Sequence, residues 1–158
     1  MIDLVESWID ETNHSYRNKR RSCSTFEQVF KGFYSPKFLS SSYFVVVDSL
    51  PTPDFQQLRD EGLGDFLDGD FDGITYKNTY YLLPHAAENI NIHFHELVHV
   101  IQWRELTAKG FIQRYISEMQ TYGYGRQAPL EDMAYGLEDH FKDGRPPLDI
   151  ERHVLSNL

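Results

Sequence analysis

The sequence predicts an α+β fold in one domain, and three observations carry that prediction. Strand-like runs gather between residues 43 and 83, segments of helical periodicity fill most of residues 86–158, and no internal repeat or long low-complexity linker divides the chain. With 158 residues, 41% of them hydrophobic and 15% aromatic, the chain can build one sizeable core. The expected organisation of residues 1–158 is a helical scaffold over 1–40, strands over 43–83 and a helical part over 86–158.

Taken in order, residues 2–14 and 25–34 read as helices, the second with Thr25 as its cap and Phe26, Val29, Phe30 and Phe33 as an apolar face. Tyr43-Phe44-Val45-Val46-Val47 is a β-branched and aromatic run closed by Asp48-Ser49-Leu50-Pro51, hence a buried strand. Residues 53–61 read as a short helix with Pro53 in its first turn, and strands follow at 74–76 and 79–83. Just before them, Asp68-Gly69-Asp70-Phe71-Asp72-Gly73 matches the first half of a calcium loop. Thr79 stands where the twelfth-position Glu is required, so the segment reads as a polar turn.

From Ala86 to Leu106 there is neither Pro nor Gly, and Ile90, Phe94, Leu97, Val98 and Ile101 form an apolar stripe at helical spacing. Pro84 and Glu88 suit its start, and Gly110 lies beyond its end. A second amphipathic helix carries Phe111, Ile112, Tyr115, Ile116, Met119 and Tyr122. A third opens with Pro129 as its first residue, and a terminal helix runs from about Leu148 to Leu158.

Charge and cysteine usage exclude several classes. Fifteen basic against twenty-four acidic residues give −9, which speaks against nucleic acid or an anionic membrane as partner of the whole surface. Arg17, Lys19, Arg20 and Arg21 form the one basic run and read as a solvated face. The single Cys23 permits no intramolecular disulfide, the N-terminus carries acids where a signal peptide carries Lys or Arg, and no apolar run approaches a membrane span. A cytoplasmic protein is expected.

The chemistry concentrates in His95-Glu96-Leu97-Val98-His99. On a helix, positions i and i+4 share a face, so both imidazoles can reach one metal ion at about 2 Å, while Glu96 sits where a general base belongs. With seven His and eleven Glu in the chain, chance placement produces this pattern only about 0.02 times per chain. Two unpaired buried imidazoles would be costly, which favours a metal site over decoration. A catalytic zinc takes a third protein ligand. Glu118, separated from His99 by eighteen residues, and Glu131, in the first turn of the Pro129 helix, are nearly even on spacing alone. Ala134, one turn after Glu131, would let the two helices approach closely.

His-Glu-Leu-Val-His-Val-Ile-Gln at 95–102, with Phe111, Tyr115, Tyr122-Gly123-Tyr124, Pro129-Leu130-Glu131 and Ala134-Tyr135, resembles a widespread, largely uncharacterised bacterial metallopeptidase core domain, also found in contractile injection system loci. The resemblance includes the Gly73-to-Leu82 strand and spans residues 73–138. It implies a zincin-like metallopeptidase fold, with His95, His99 and Glu131 as zinc ligands and Glu96 as the catalytic acid; Glu118 becomes the second choice. Many related glutamate zincins have an Asp four residues after the ligand Glu, where it orients a ligand His; here that position is Tyr135.

The function expected is hydrolysis of a peptide bond by a zinc-activated water, with Glu96 moving its proton. Tyr122, Tyr124 and His140 are candidate oxyanion donors, with Tyr124 preferred, and the 74–83 segment is the candidate strand for a peptide or protein substrate. The competing class is a non-catalytic binding or regulatory module that zinc merely braces, since ligand chemistry is the same in both.

Overall fold

A computed structural model describes all of residues 1–158. The chain is α+β, with a small mixed sheet of four strands and helices on both sides of it. Helix α1 (Ile2–Ser15) buries Val5 and Ile9, and strand β1 (Arg21–Ser22) follows it.

The helix expected over 25–34 does not form. A 3-10 turn over Cys23–Phe26, capped by the Ser22 hydroxyl rather than by Thr25, leads into single hydrogen-bonded turns. Gly32 takes φ +84°, and a Cβ there would stand 2.8 Å from Pro147 Cβ. Phe30 and Phe33 each reach the core separately while Val29 is 47% exposed, so tertiary packing of the aromatics overrides their helical spacing. A short helix α2 (Pro36–Ser40), capped by Ser35, was not anticipated.

Strand β2 (Tyr43–Val46) agrees with the sequence. The helix expected from Pro53 starts later and is irregular: α3 (Gln56–Leu58), a π-turn over Arg59–Leu63, and α4 (Gly64–Leu67). Gly62, at φ +89°, makes the break. The 43–83 part is thus strands with helical turns between them. In the acidic turn Arg59 holds Asp68 through two hydrogen bonds of 2.7 and 2.9 Å, and His85 Nε2 lies 2.9 Å from Asp72 Oδ1.

Strands β3 (Gly73–Tyr76) and β4 (Thr79–Leu82) form a hairpin, and the sheet order is β1-β2-β4-β3. The hairpin turn puts Lys77 at φ +59°, an unfavourable angle for a side-chain-bearing residue. Its ammonium is held by Glu6 at 2.8 Å and Asp10 at 2.7 Å, both on α1. β2 and β4 pair in parallel at the centre; β4 is buried throughout, while in β2 Phe44 and Val45 are buried on opposite faces and Val46 is exposed. Phe44, Tyr80 and Leu82 feed one apolar cluster; Val45 and Tyr81 feed the other.

After a single turn, α5 (Pro84–Ala87), helix α6 runs Ile90–Tyr122 with the Asn89 side chain as its cap. It breaks at Thr107 (φ 64°, ψ 163°), where the Thr107 hydroxyl accepts the Gly110 N–H at 3.3 Å. The two helices read from the sequence are therefore the halves of one broken element. The apolar stripe understates its burial, because every residue from His93 to Trp103 is buried. Helices α7 (Pro129–Lys142) and α8 (Ile150–Asn157) cover it, α8 starting at an Asp149 cap rather than at Leu148. Ala134 is fully buried against the same cluster as Leu97 and Val98, the close approach its small size allows. No helix is long and apolar enough to cross a membrane.

Candidate metal centre

The first half of α6 brings His95 and His99 to one face, and the first turn of α7 brings Glu131 against them. His95 Nε2 and His99 Nε2 are 3.2 Å apart, and Glu131 Oε1 lies 3.2 Å from the first and 3.1 Å from the second. All three residues are buried and close enough together to hold a metal ion. Tetrahedral zinc with bonds of about 2.0–2.1 Å sets its ligand atoms about 3.3 Å apart, so this triangle has the required size.

The hydrogen bonds behind the triangle determine its chemistry. Gln102 donates from Nε2 to the Leu130 carbonyl at 3.0 Å, which turns its Oε1 toward His99 Nδ1 at 2.8 Å. His99 Nδ1 must then be the donor. Glu138 Oε1 likewise accepts from His95 Nδ1 at 3.0 Å. Neutral imidazoles protonated on Nδ1 present bare lone pairs on Nε2. Two such lone pairs and a carboxylate oxygen converging at about 3 Å repel one another unless a proton or a metal cation lies between them.

Protonation shifts in the metal-free chain express the same demand. Burial pushes the His95 imidazole down, but Glu131 and Glu138 outweigh it and raise it to about 10. Burial works against charge on His99 too, yet Glu131 raises it; Glu131 itself, despite burial, is held well below the usual carboxylate range by His99 and His95. For groups raised on folding, the stabilisation is complete below the unfolded value near 6.5 and disappears as pH rises through the folded one. Metal-free protein is therefore expected to lose thermal stability between pH 7 and 10, and zinc is expected to flatten that decline; a Tm series with and without zinc checks it.

Glu96 lies next to the triad, with Oε2 accepting from the Thr75 hydroxyl of β3 at 2.6 Å. β3 comes this close because residue 73 is glycine: a Cβ there would meet Leu82 Cδ2 at 2.5 Å and Glu96 Oε1 at 2.9 Å. Gly73→Ala is expected to cost about 1–3 kcal/mol in urea denaturation, by overpacking against Leu82 and the carboxylate.

Glu118 is not placed among the ligands. Its Oε1 accepts the Leu130 N–H at 2.8 Å and its Oε2 the Arg114 Nε at 2.8 Å. It thus caps α7, whose Ala128 start has no side-chain cap of its own, and so sets the helix that carries Glu131. Tyr115 donates to Glu131 Oε2 at 2.9 Å, leaving Oε1 to face the imidazoles. Tyr135 packs edge-on against the His95 ring at 4.4 Å between centroids, and the carboxylate expected at its position comes from Glu138 instead. Gln102 and Glu138 had a legible signal, one turn after His99 and two turns after Glu131. Thr75 and Tyr115 had none. Glu138→Gln and Gln102→Leu are each expected to weaken zinc binding about 10- to 100-fold in a chelator-competition titration.

The remaining candidates separate. Tyr124 lines the cavity that borders the triad, its ring against Phe71 at 4.8 Å; Tyr122 ends α6 half-exposed, and His140 Nε2 is engaged with the Pro146 carbonyl at 2.8 Å. Of the 74–83 segment only β3 is an edge strand, since β4 lies inside the sheet and is buried throughout. Trp103 Nε1 already donates to the Thr75 carbonyl at 3.1 Å, which takes one of the edge groups a substrate strand would use. Comparison with protein-family models, curated proteins and solved structures returns no match.

Proposed function

We propose that this chain is a zinc-dependent peptidase on a zincin-like fold. The observation that carries the reading is that the three converging ligand atoms and the Glu96 carboxylate border one cavity. A bracing ion needs four protein ligands and a closed shell; a catalytic one needs three and an accessible position. Two imidazoles and a carboxylate suit zinc. The hairpin-edge strand beside the motif helix supports the zincin comparison and the resemblance to bacterial metallopeptidase core domains. A single buried thiol, Cys23, suits a reducing compartment.

Zinc, when bound, supplies a Lewis acid that polarises the scissile carbonyl and makes water acidic enough to attack near neutral pH. Glu96, fixed by Thr75, takes the proton from the attacking water and delivers it to the leaving amine. Glu138 and Gln102 hold each imidazole with Nε2 unprotonated. Tyr124 is the donor available to the developing oxyanion, since of the three phenols lining the cavity Tyr115 donates to Glu131 and Tyr76 to the Pro51 carbonyl.

The test is cleavage of a broad peptide library by zinc-loaded protein, read by mass spectrometry. New termini that disappear with a chelator and return with zinc are expected. Stoichiometric zinc with no cleavage above the chelated background would overturn the peptidase and leave the bracing role.

A further inference from the structure

The cavity that borders His95, Glu96, His99 and Glu131 continues away from them into apolar surroundings. Val5 and Ile9 of α1, Leu63 of the π-turn, Ile74 of β3, and Ile112 and Ile116 of the second half of α6 are among its walls. Apart from the four residues at the metal end, its lining contains no carboxylate, ammonium or guanidinium group. A charged side chain entering it would lose its hydration with nothing in return. Its volume is about 100 Å³. An apolar cavity of roughly 150 Å³ accepts one benzene, so this one holds a smaller group of about four carbons and excludes an indole.

The geometry points to a specificity pocket: the cavity takes one aliphatic side chain of Val, Leu or Ile size, from the substrate residue adjoining the bond that is cut. This rests on the peptidase reading, and it adds the substrate class. It also gives α1 a part in the site. The N-terminal helix supplies two of the walls, so it shapes the pocket rather than only bracing the sheet.

Zinc-loaded full-length protein, titrated calorimetrically with the hydroxamates of N-acetyl-Gly, N-acetyl-Leu, N-acetyl-Lys and N-acetyl-Trp, tests the pocket without requiring turnover. The Leu compound is expected to bind about 10- to 100-fold more tightly than the Gly compound, and the Lys and Trp compounds no better than Gly. Ile116→Trp, at a half-buried wall position that is not itself one of the converging metal-site residues, is expected to erase the Leu preference while leaving Gly hydroxamate and zinc affinity unchanged. Equal binding of all four compounds, or a Leu preference that survives Ile116→Trp, overturns the pocket alone. Failure of every hydroxamate to bind a chain that holds zinc overturns the open metal site and the pocket with it.

Discussion

Glu96→Gln is expected to lower kcat for any peptide the zinc-loaded chain cleaves by about 10²- to 10⁴-fold, the usual worth of one proton-transfer group. The amide keeps the shape of the carboxylate and can still accept the Thr75 hydroxyl, which now lies 2.6 Å from Oε2. What it loses is the ability to take a proton from water. Because Glu96 is not one of the three converging atoms, zinc content should remain stoichiometric by elemental analysis. A variant that turns over like the parent removes the base role. A variant that loses zinc shows instead that Glu96 helps hold the ion.

Removing the ion or one of its ligands is the second large effect. At a zinc concentration about a thousandfold above Kd, binding stabilises the fold by roughly 4 kcal/mol. For a chain of 158 residues, each kcal/mol moves Tm by about 2–4 °C, so chelation is expected to lower Tm by about 10 °C. Glu131→Ala should abolish most of that zinc-dependent shift, because it removes an oxygen 3.1–3.2 Å from both imidazoles. It also leaves the Tyr115 hydroxyl without its acceptor, so the metal-free variant itself should be less stable by about 1–3 kcal/mol. Glu118→Gln offers the contrast. It weakens the α7 cap but retains an oxygen for the Leu130 N–H, so zinc affinity should fall far less than in Glu131→Ala. Equal losses in the two variants would return Glu118 to consideration as a ligand.

Much of the helical architecture was legible because helical periodicity is local. The spacing of Phe94, Leu97, Val98 and Ile101 marked the motif helix, and Pro129 marked the start of α7 to the residue. The errors have a common origin. Phe26, Phe30 and Phe33 show helical spacing, yet Gly32 at positive φ and Pro147 packed against it impose separate turns. The segment after Pro53 fails as a regular helix because Gly62 turns left-handed and Arg59 is drawn between Asp54 and Asp68. Each outcome depends on partners that lie outside the local pattern.

The sequence by itself determined the two imidazoles and the neighbouring carboxylate, since positions one helical turn apart must share a face. It also narrowed the third ligand to two glutamates. Only the tertiary structure sets them apart, by closing α7 onto α6 so that Glu131 meets the imidazoles, close enough to hold a metal ion with them, while Glu118 caps the helix that carries it. It also decided the surrounding shell: Glu138 in place of the acid missing at Tyr135, Gln102 against His99, Thr75 against Glu96, and Tyr115 against Glu131. The physical reason is range. Local spacing sets which face a side chain occupies and can place a partner one turn away, as with Gln102 beside His99, but the partners from other elements lie 16 to 43 positions away in the chain, and packing of the whole core chooses them.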